Sequence, residues 1–189
     1  MRMTTAVLLL SPPLASLVAG CTSLPAPQVP DKLRVPAGQS VSLEARASGV
    51  QVYTCEATKT DPTRVSWVFK EPQAALYDRN GKPIGKHYAG PTWESTDGSK
   101  VVGALVAQDP GPDATAIPWL LLTAKSTAGG GVLSATKSIQ RVNTVGGRAP
   151  AEGCDPTLVG NVARVPYQAT YYFFVAGRGE QDATSAAHY

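Results

Sequence analysis

The run His87-Tyr88-Ala89-Gly90-Pro91-Thr92-Trp93-Glu94-Ser95-Thr96-Asp97-Gly98-Ser99-Lys100-Val101-Val102-Gly103 decides the fold class. Asp97-Gly98 supplies the positive φ angles that a tight hairpin turn requires. The residues on either side, 92–95 and 100–107, read as two antiparallel strands joined by that turn. Successive side chains of a strand point to opposite faces, so Glu94, which shares its parity with Thr92, faces away from Trp93. The same run gathers an imidazole, an indole, carboxylates and an ammonium, and no other segment is as chemically mixed.

Outward from this hairpin, the dominant period remains two. Val41, Leu43 and Ala45 alternate with Ser42, Glu44 and Arg46; Gly49 is expected to end that strand, and residues 50–55 form the next. Val65, Trp67 and Phe69 line one face of a strand punctuated by Asp61-Pro62 before it and Glu71-Pro72 after it. Residues 74–78 and 83–87 flank Arg79-Asn80-Gly81, a second hairpin signal. The run Ala116-Ile117-Pro118-Trp119-Leu120-Leu121-Leu122-Thr123-Ala124 is apolar on both faces, as in a strand covered on each side, with Pro118 at its start or at a bulge. Gly129-Gly130-Gly131 is a loop. Residues 136–144 carry Ile139, Arg141 and Asn143 on one side, and residues 170–175, with Tyr171-Tyr172-Phe173-Phe174, close the core. About ten short strands and no convincing helix predict an all-β fold, an antiparallel β-sandwich or barrel. A helix near Leu120 would make it α+β instead.

Composition agrees with one domain: 189 residues, 43% hydrophobic and 16% charged, suffice to bury a single sizeable core. A formal charge of +3, with no run of Lys or Arg, argues against a nucleic-acid partner.

The N-terminal residues carry an address. Met1-Arg2-Met3 is a small basic region, and the apolar residues 6–10 and 14–17 form a stretch too short and too interrupted by proline to span a membrane, as in an export signal. It ends in Leu17-Val18-Ala19-Gly20-Cys21, which resembles the lipobox of bacterial lipoproteins. The resemblance implies cleavage before Cys21 and a diacylglycerol on its thiol, and Thr22 after the cysteine is compatible with outer-membrane sorting. The expected organisation is a signal peptide over 1–20, a Pro-rich tether over 21–31, a β-rich domain over 32–178 and a polar tail over 179–189. The expected location is the bacterial cell envelope, lipid-anchored at the periplasmic face of the outer membrane, or the extracellular space. With Cys21 on lipid, the remaining two of three cysteines, Cys55 and Cys154, are expected to pair.

Several segments together resemble one family. His87 to Glu94, Asp97-Gly98-Ser99-Lys100-Val101, Ala116-Ile117-Pro118-Trp119-Leu120-Leu121, Ile139-Gln140-Arg141-Val142-Asn143-Thr144-Val145-Gly146-Gly147, Gly153-Cys154 and Val165-Pro166-Tyr167 with Tyr171-Tyr172-Phe173 are similar to the domain-of-unknown-function family 3455. The resemblance implies a secreted bacterial or fungal protein with a shared extracellular fold, and it implies no mechanism. Some fungal members carry a malate dehydrogenase label. This chain has no Gly-x-Gly-x-x-Gly opening a helix and no βαβ unit, so no dinucleotide cofactor is expected.

For function, two classes compete. A binding module would use the flat faces of Trp93, Tyr88 and Trp119 with directed polar groups from His87, Glu94, Lys100, Arg141 and Asn143, a mixture suited to a glycan or another polar envelope ligand. A carbohydrate-active hydrolase would use Glu94, Asp97 and His87 as acids and base. The plain alternative buries the tryptophans and pairs Arg141 with Glu94 across strands. Two histidines, His87 and His188, are too few for a multi-histidine metal site, and Asp109 and Asp113 in a Pro-Gly loop are a weak calcium signal. No metal, cofactor or catalytic residue is assigned, and the oligomeric state is not legible. The lipobox reading makes a direct prediction: labelled palmitate enters the exported wild-type chain and not Cys21→Ala. Equal labelling of the two removes the anchor.

Overall fold

In the computed structural model, which describes residues 24–177, the alternating segments form eight antiparallel strands. They are β1 (Gln39–Ala57), β2 (Val65–Tyr77), β3 (Pro83–Tyr88), β4 (Thr92–Ser95), β5 (Lys100–Asp109), β6 (Trp119–Ala128), β7 (Ser138–Gly146) and β8 (Val162–Ala176). Each strand pairs with the next, and β1 also pairs with β8 from Gln39↔Ala176 to Thr54↔Val162, so the sheet closes into an up-and-down barrel. Among the described residues, the only helical turns are two short 3-10 segments, Asp31–Leu33 and Pro156–Leu158. The fold is thus all-β, and the barrel is the form it takes.

Eight strands replace about ten because two breakers lie inside β1 and β2. Gly49 continues β1, opposite Ala74; a Cβ there would lie 2.1 Å from the Gln73 carbonyl oxygen, so glycine is what allows β2 to approach. Pro72 continues β2 opposite Gln51. It sits close to the β1 bulge at Val52/Tyr53, and β3 pairing begins only at Ala74, so a strand residue without an N–H is tolerated there. The two hairpin signals form as read: Asp78 N–H donates to Lys82 O at 2.9 Å around Asn80-Gly81, and Ser95 N–H donates to Ser99 O at 2.9 Å around Asp97-Gly98.

Inward positions follow strand parity and alternate large with small. Ala45, Ala47, Ala74 and Ala169 stand among Trp93, Tyr167, Tyr171 and Phe173, with Leu76, Val101, Leu122 and Ile139 filling the wall. Gly103 is one of the small positions, since a Cβ on it would lie 3.0 Å from both Leu122 Cδ2 and Trp93 Cζ3. One end of the barrel is plugged. Asp97 accepts from Ser99 N–H, Ser99 Oγ–H and Val132 N–H, and Ser99 Oγ accepts from Leu133 N–H, which locks the 95–99 turn to the 129–134 loop with Leu133 buried beneath.

The outer wall of β6, β7 and β8 is covered as well, which explains why the 116–124 run is apolar on both faces. Gln140 and Phe174 alternate with inward residues and so face out, yet both are buried. Gln140 Nε2–H donates to Leu33 O at 2.6 Å, Leu33 is fully buried, and Lys32 pairs with Asp109 at 2.9 Å. The segment read as a spacer therefore lies against the barrel from Leu24, which bridges to Val41, through Leu33. The signal over 1–20, Cys21, His188 and the tail over 179–189 lie outside the described residues. Among the described residues, no helix is long and apolar enough to cross a membrane.

Cys55 and Cys154 form a disulfide with a sequence separation of 99. It pins the β7–β8 connection to the end of β1, where Gly160 N–H donates to Cys55 O and Trp67 Nε1–H donates to Glu152 O, both at 2.9 Å. A cross-link over a loop of about 100 residues restricts the unfolded chain by about 4.7 kcal/mol in the chain-entropy account. The Cys55→Ser/Cys154→Ser double variant is accordingly expected to lose up to about 5 kcal/mol of unfolding free energy, read as a lower urea midpoint. An unchanged midpoint would remove the bridge from the stability of the barrel.

Candidate binding cavity in the barrel mouth

Opposite the plugged end, the barrel is open. Its interior there is a cavity of about 280 Å³ walled by Pro72, His87, Trp93, Leu120, Leu122 and Tyr171, with Gln51 and Arg141 supplying polar groups. Phe69, Lys70, Gly90, Pro91 and Leu105 form the rim. Phe69 and Leu105 are 48% and 60% exposed, so the entrance is apolar as well as the wall. Eight strands enclose an interior of the right width for one small ligand.

Strand register puts the polar side chains there. His87 pairs with Trp93 across β3 and β4, and their rings stack with centroids 4.3 Å apart and an interplanar angle of 8°. Tyr171 meets both rings edge-on, at 5.1 Å from His87 and 5.2 Å from Trp93. Arg141 pairs with Tyr171 across β7 and β8 and with Leu120 across β6 and β7. Its Nε–H and Nη2–H both donate to Pro118 O, at 3.0 and 2.7 Å, which holds the guanidinium in place. Gln51 Nε2 and Trp93 Nε1 are buried without an acceptor. The Tyr167 and Tyr171 hydroxyls lie near one another and near Arg141, without a well-formed hydrogen bond. Burial raises the pKa of both phenols, while the guanidinium pulls in the other direction.

His87 is neutral. Burial pushes its pKa down to about 3, against the opposing effect of a 2.8 Å hydrogen bond in which Nδ1–H donates to Thr92 O, and Arg141 adds to the depression. The other ring nitrogen, Nε2, is then an acceptor.

Of the eight residues named for a binding module, three converge on the cavity: His87, Trp93 and Arg141. The other five do not; Tyr88 lies outside with Glu94, and the Trp119 ring lies beside Gly111. Glu94 and Lys100 are on the outer face, where Glu94 accepts from Tyr88 Oη–H at 2.8 Å and pairs with Lys100 at 3.2 Å and Lys86 at 3.6 Å. The Tyr88 hydrogen bond, followed by Lys100, holds the Glu94 carboxyl below its ordinary value. Asn143 is exposed at φ 52, in the register shift between Val142 and Val145 that turns it away from the parity of Ile139 and Arg141. Asp97 belongs to the plugged end, and its hydrogen bonds, Ser99 Oγ–H first, depress its carboxyl to about 2. His87, Glu94 and Asp97 therefore share no surface. Arg141 pairs with the Pro118 carbonyl and not with Glu94.

Gln51 and Tyr171 were not singled out. For Gln51 the signal existed: it has the inward parity of Ala45 and Ala47, and it is hidden only when the strand is taken to stop at Gly49. Tyr171 looks like a core aromatic, which it also is.

The geometry defines a closed antiparallel barrel with an internal cavity at one mouth. The chain belongs to the family described as Protein of unknown function (DUF3455), whose model matches residues 36–175. No curated protein and no solved structure matches the chain.

The buried imidazole has a consequence for stability. Below about pH 6.5 an unfolded chain binds a proton at His87 that the folded barrel refuses until about pH 3, so the folded state loses ground as pH falls. Between pH 6.5 and 5, above the carboxylate range, wild-type unfolding free energy is expected to fall by up to about 1.4 kcal/mol per pH unit. In His87→Phe this slope is expected to flatten; identical slopes would show that His87 is not buried as a neutral ring.

Proposed function

We propose that this protein is an exported, lipid-anchored envelope protein whose barrel binds a small organic molecule in its mouth. The anchor rests on the lipobox-like Leu17 to Cys21. The binding reading is carried by one observation: an apolar-walled cavity, open at its rim, whose lining residues hold buried N–H groups without acceptors. In a well-packed interior such groups are paired, and leaving one unpaired costs about 1–3 kcal/mol. Rotation of the Gln51 amide toward a ligand acceptor recovers that cost. The open rim gives the ligand a path.

The size and wall select the kind of ligand. A glycan chain lies across exposed aromatic faces, but Trp93 is 1% exposed and Tyr171 is buried, so neither ring offers its face at the outer surface. A compact molecule with an apolar body fits better than a polysaccharide. A hydrolytic reading lacks an acid–base pair, since Glu94 is outside the barrel and Asp97 is committed to Ser99 and Val132.

A thermal-shift panel of compact neutral and charged organic molecules is expected to contain binders that raise the melting temperature of the wild type and leave Leu120→Trp, which fills the cavity, unshifted. A panel without binders, or binders indifferent to the filled cavity, overturns the reading.

A further inference from the structure

The charge balance of the cavity narrows the ligand further, on the reading that the cavity is a binding site. Arg141 is half-buried among apolar neighbours, and among the described residues no carboxylate forms an ion pair with it. The Pro118 carbonyl satisfies two of its N–H groups but brings no negative charge. The phenols beside it stay neutral at physiological pH. A cation withdrawn from water without a counter-charge is costly, and the outer face of this barrel shows the contrast: there Arg79 is paired with Glu44, and Lys86 and Lys100 with Glu94.

Among the neutral groups, Gln51 Nε2 and Trp93 Nε1 are donors without acceptors, and the tyrosine hydroxyls can donate or accept. His87 Nε2 and the Gln51 amide oxygen are acceptors that a ligand hydroxyl or a water can use. Lys70 at the rim is already paired with Glu56 at 2.6 Å, and His87 carries no charge. The cavity therefore holds one uncompensated positive charge. A dianion such as phosphate would leave a negative charge unpaired between apolar walls, whereas a monoanion balances the site.

Volume sets the body of the molecule. At about 280 Å³ the cavity is somewhat below the roughly 300–1,000 Å³ of sites for drug-sized ligands and larger than the roughly 150 Å³ engineered cavity that takes benzene. Leu120, Leu122, Pro72 and the stacked His87–Trp93 pair provide an apolar seat.

We propose that the barrel mouth takes a compact monocarboxylic acid, with its carboxylate on the Arg141 guanidinium and its single ring or short branched chain among Pro72, Trp93, Leu120 and Leu122. Arg141 is suited to this role because its fork geometry matches a carboxylate and because Pro118 already fixes its orientation.

The test uses titration calorimetry on the full exported chain at pH 7.5, with benzoate, phenylacetate and isovalerate, each against its neutral amide. At least one acid is expected to bind the wild type ten-fold or more tightly than its amide. That preference is expected to vanish in Arg141→Gln, to survive in part in Arg141→Lys, and to disappear with all binding in Leu120→Trp. Since Arg141 also holds Pro118, circular dichroism checks the fold of both variants; if either unfolds, the acid-to-amide ratio on the wild type decides alone. Equal binding of acids and amides, or no binding by any acid while neutral compounds still occupy the cavity, overturns the carboxylate inference and leaves the cavity reading standing. Acids that bind Leu120→Trp as well as the wild type overturn both.

Discussion

Pairing of the first strand with the last is the interaction on which this structure depends. β1 and β8 are the two longest strands, and their ladder runs from Gln39↔Ala176 to Thr54↔Val162. Without that ladder the sheet would present two open edges, each a template for association with other chains. With it there is no edge, and the inner face has an inside. Every contact that closes the ring is distant in sequence, so the ends must be held against a large loss of chain entropy. The disulfide acts in the same direction, since Cys55 lies near the end of β1 and Cys154 in the connection that leads into β8.

Closure also imposes the pattern of side-chain sizes. An eight-stranded ring has little interior, and large residues fit only where small ones oppose them. Gly49 lets β2 approach β1, and Gly103 leaves room for the Trp93 indole. Ala45, Ala47, Ala74 and Ala169 make similar space around Tyr167, Tyr171 and Phe173. Leu133 fills the barrel at the plugged end, while the other end keeps the cavity of about 280 Å³. Polar side chains are buried at both ends: Ser99 is committed to Asp97 and Leu133 at the plug, and Gln51, His87 and Arg141 line the cavity.

The two surfaces of the barrel treat charge differently. On the outside, carboxylates and cations pair in water, and such pairs contribute little to stability. On the inside, a guanidinium is held by a carbonyl and faced by phenols, an indole and a neutral imidazole. The stack of His87 on Trp93 keeps the imidazole out of water and therefore uncharged. This leaves Arg141 as the dominant electrostatic feature of the cavity.

The sequence by itself determined the all-β class, both hairpins and the opposite faces of Trp93 and Glu94, and it pointed to the pairing of Cys55 with Cys154 once Cys21 is read as the lipid-bearing cysteine. The first three follow from local rules: a period of two and the φ requirements of Asn-Gly and Asp-Gly. It did not determine that Gly49 and Pro72 lie inside strands, because whether such a residue ends a strand depends on what the neighbouring strand does beside it. Only the tertiary structure decided that the sheet closes, and with closure which parity faces in. That decision brought His87, Trp93 and Arg141 to one cavity with Gln51 and Tyr171, and left Glu94, Lys100 and Asn143 outside. A register shift of one residue is enough to move a side chain from wall to solvent, as Asn143 shows, and bulges are set by pairing across strands, which local sequence does not encode.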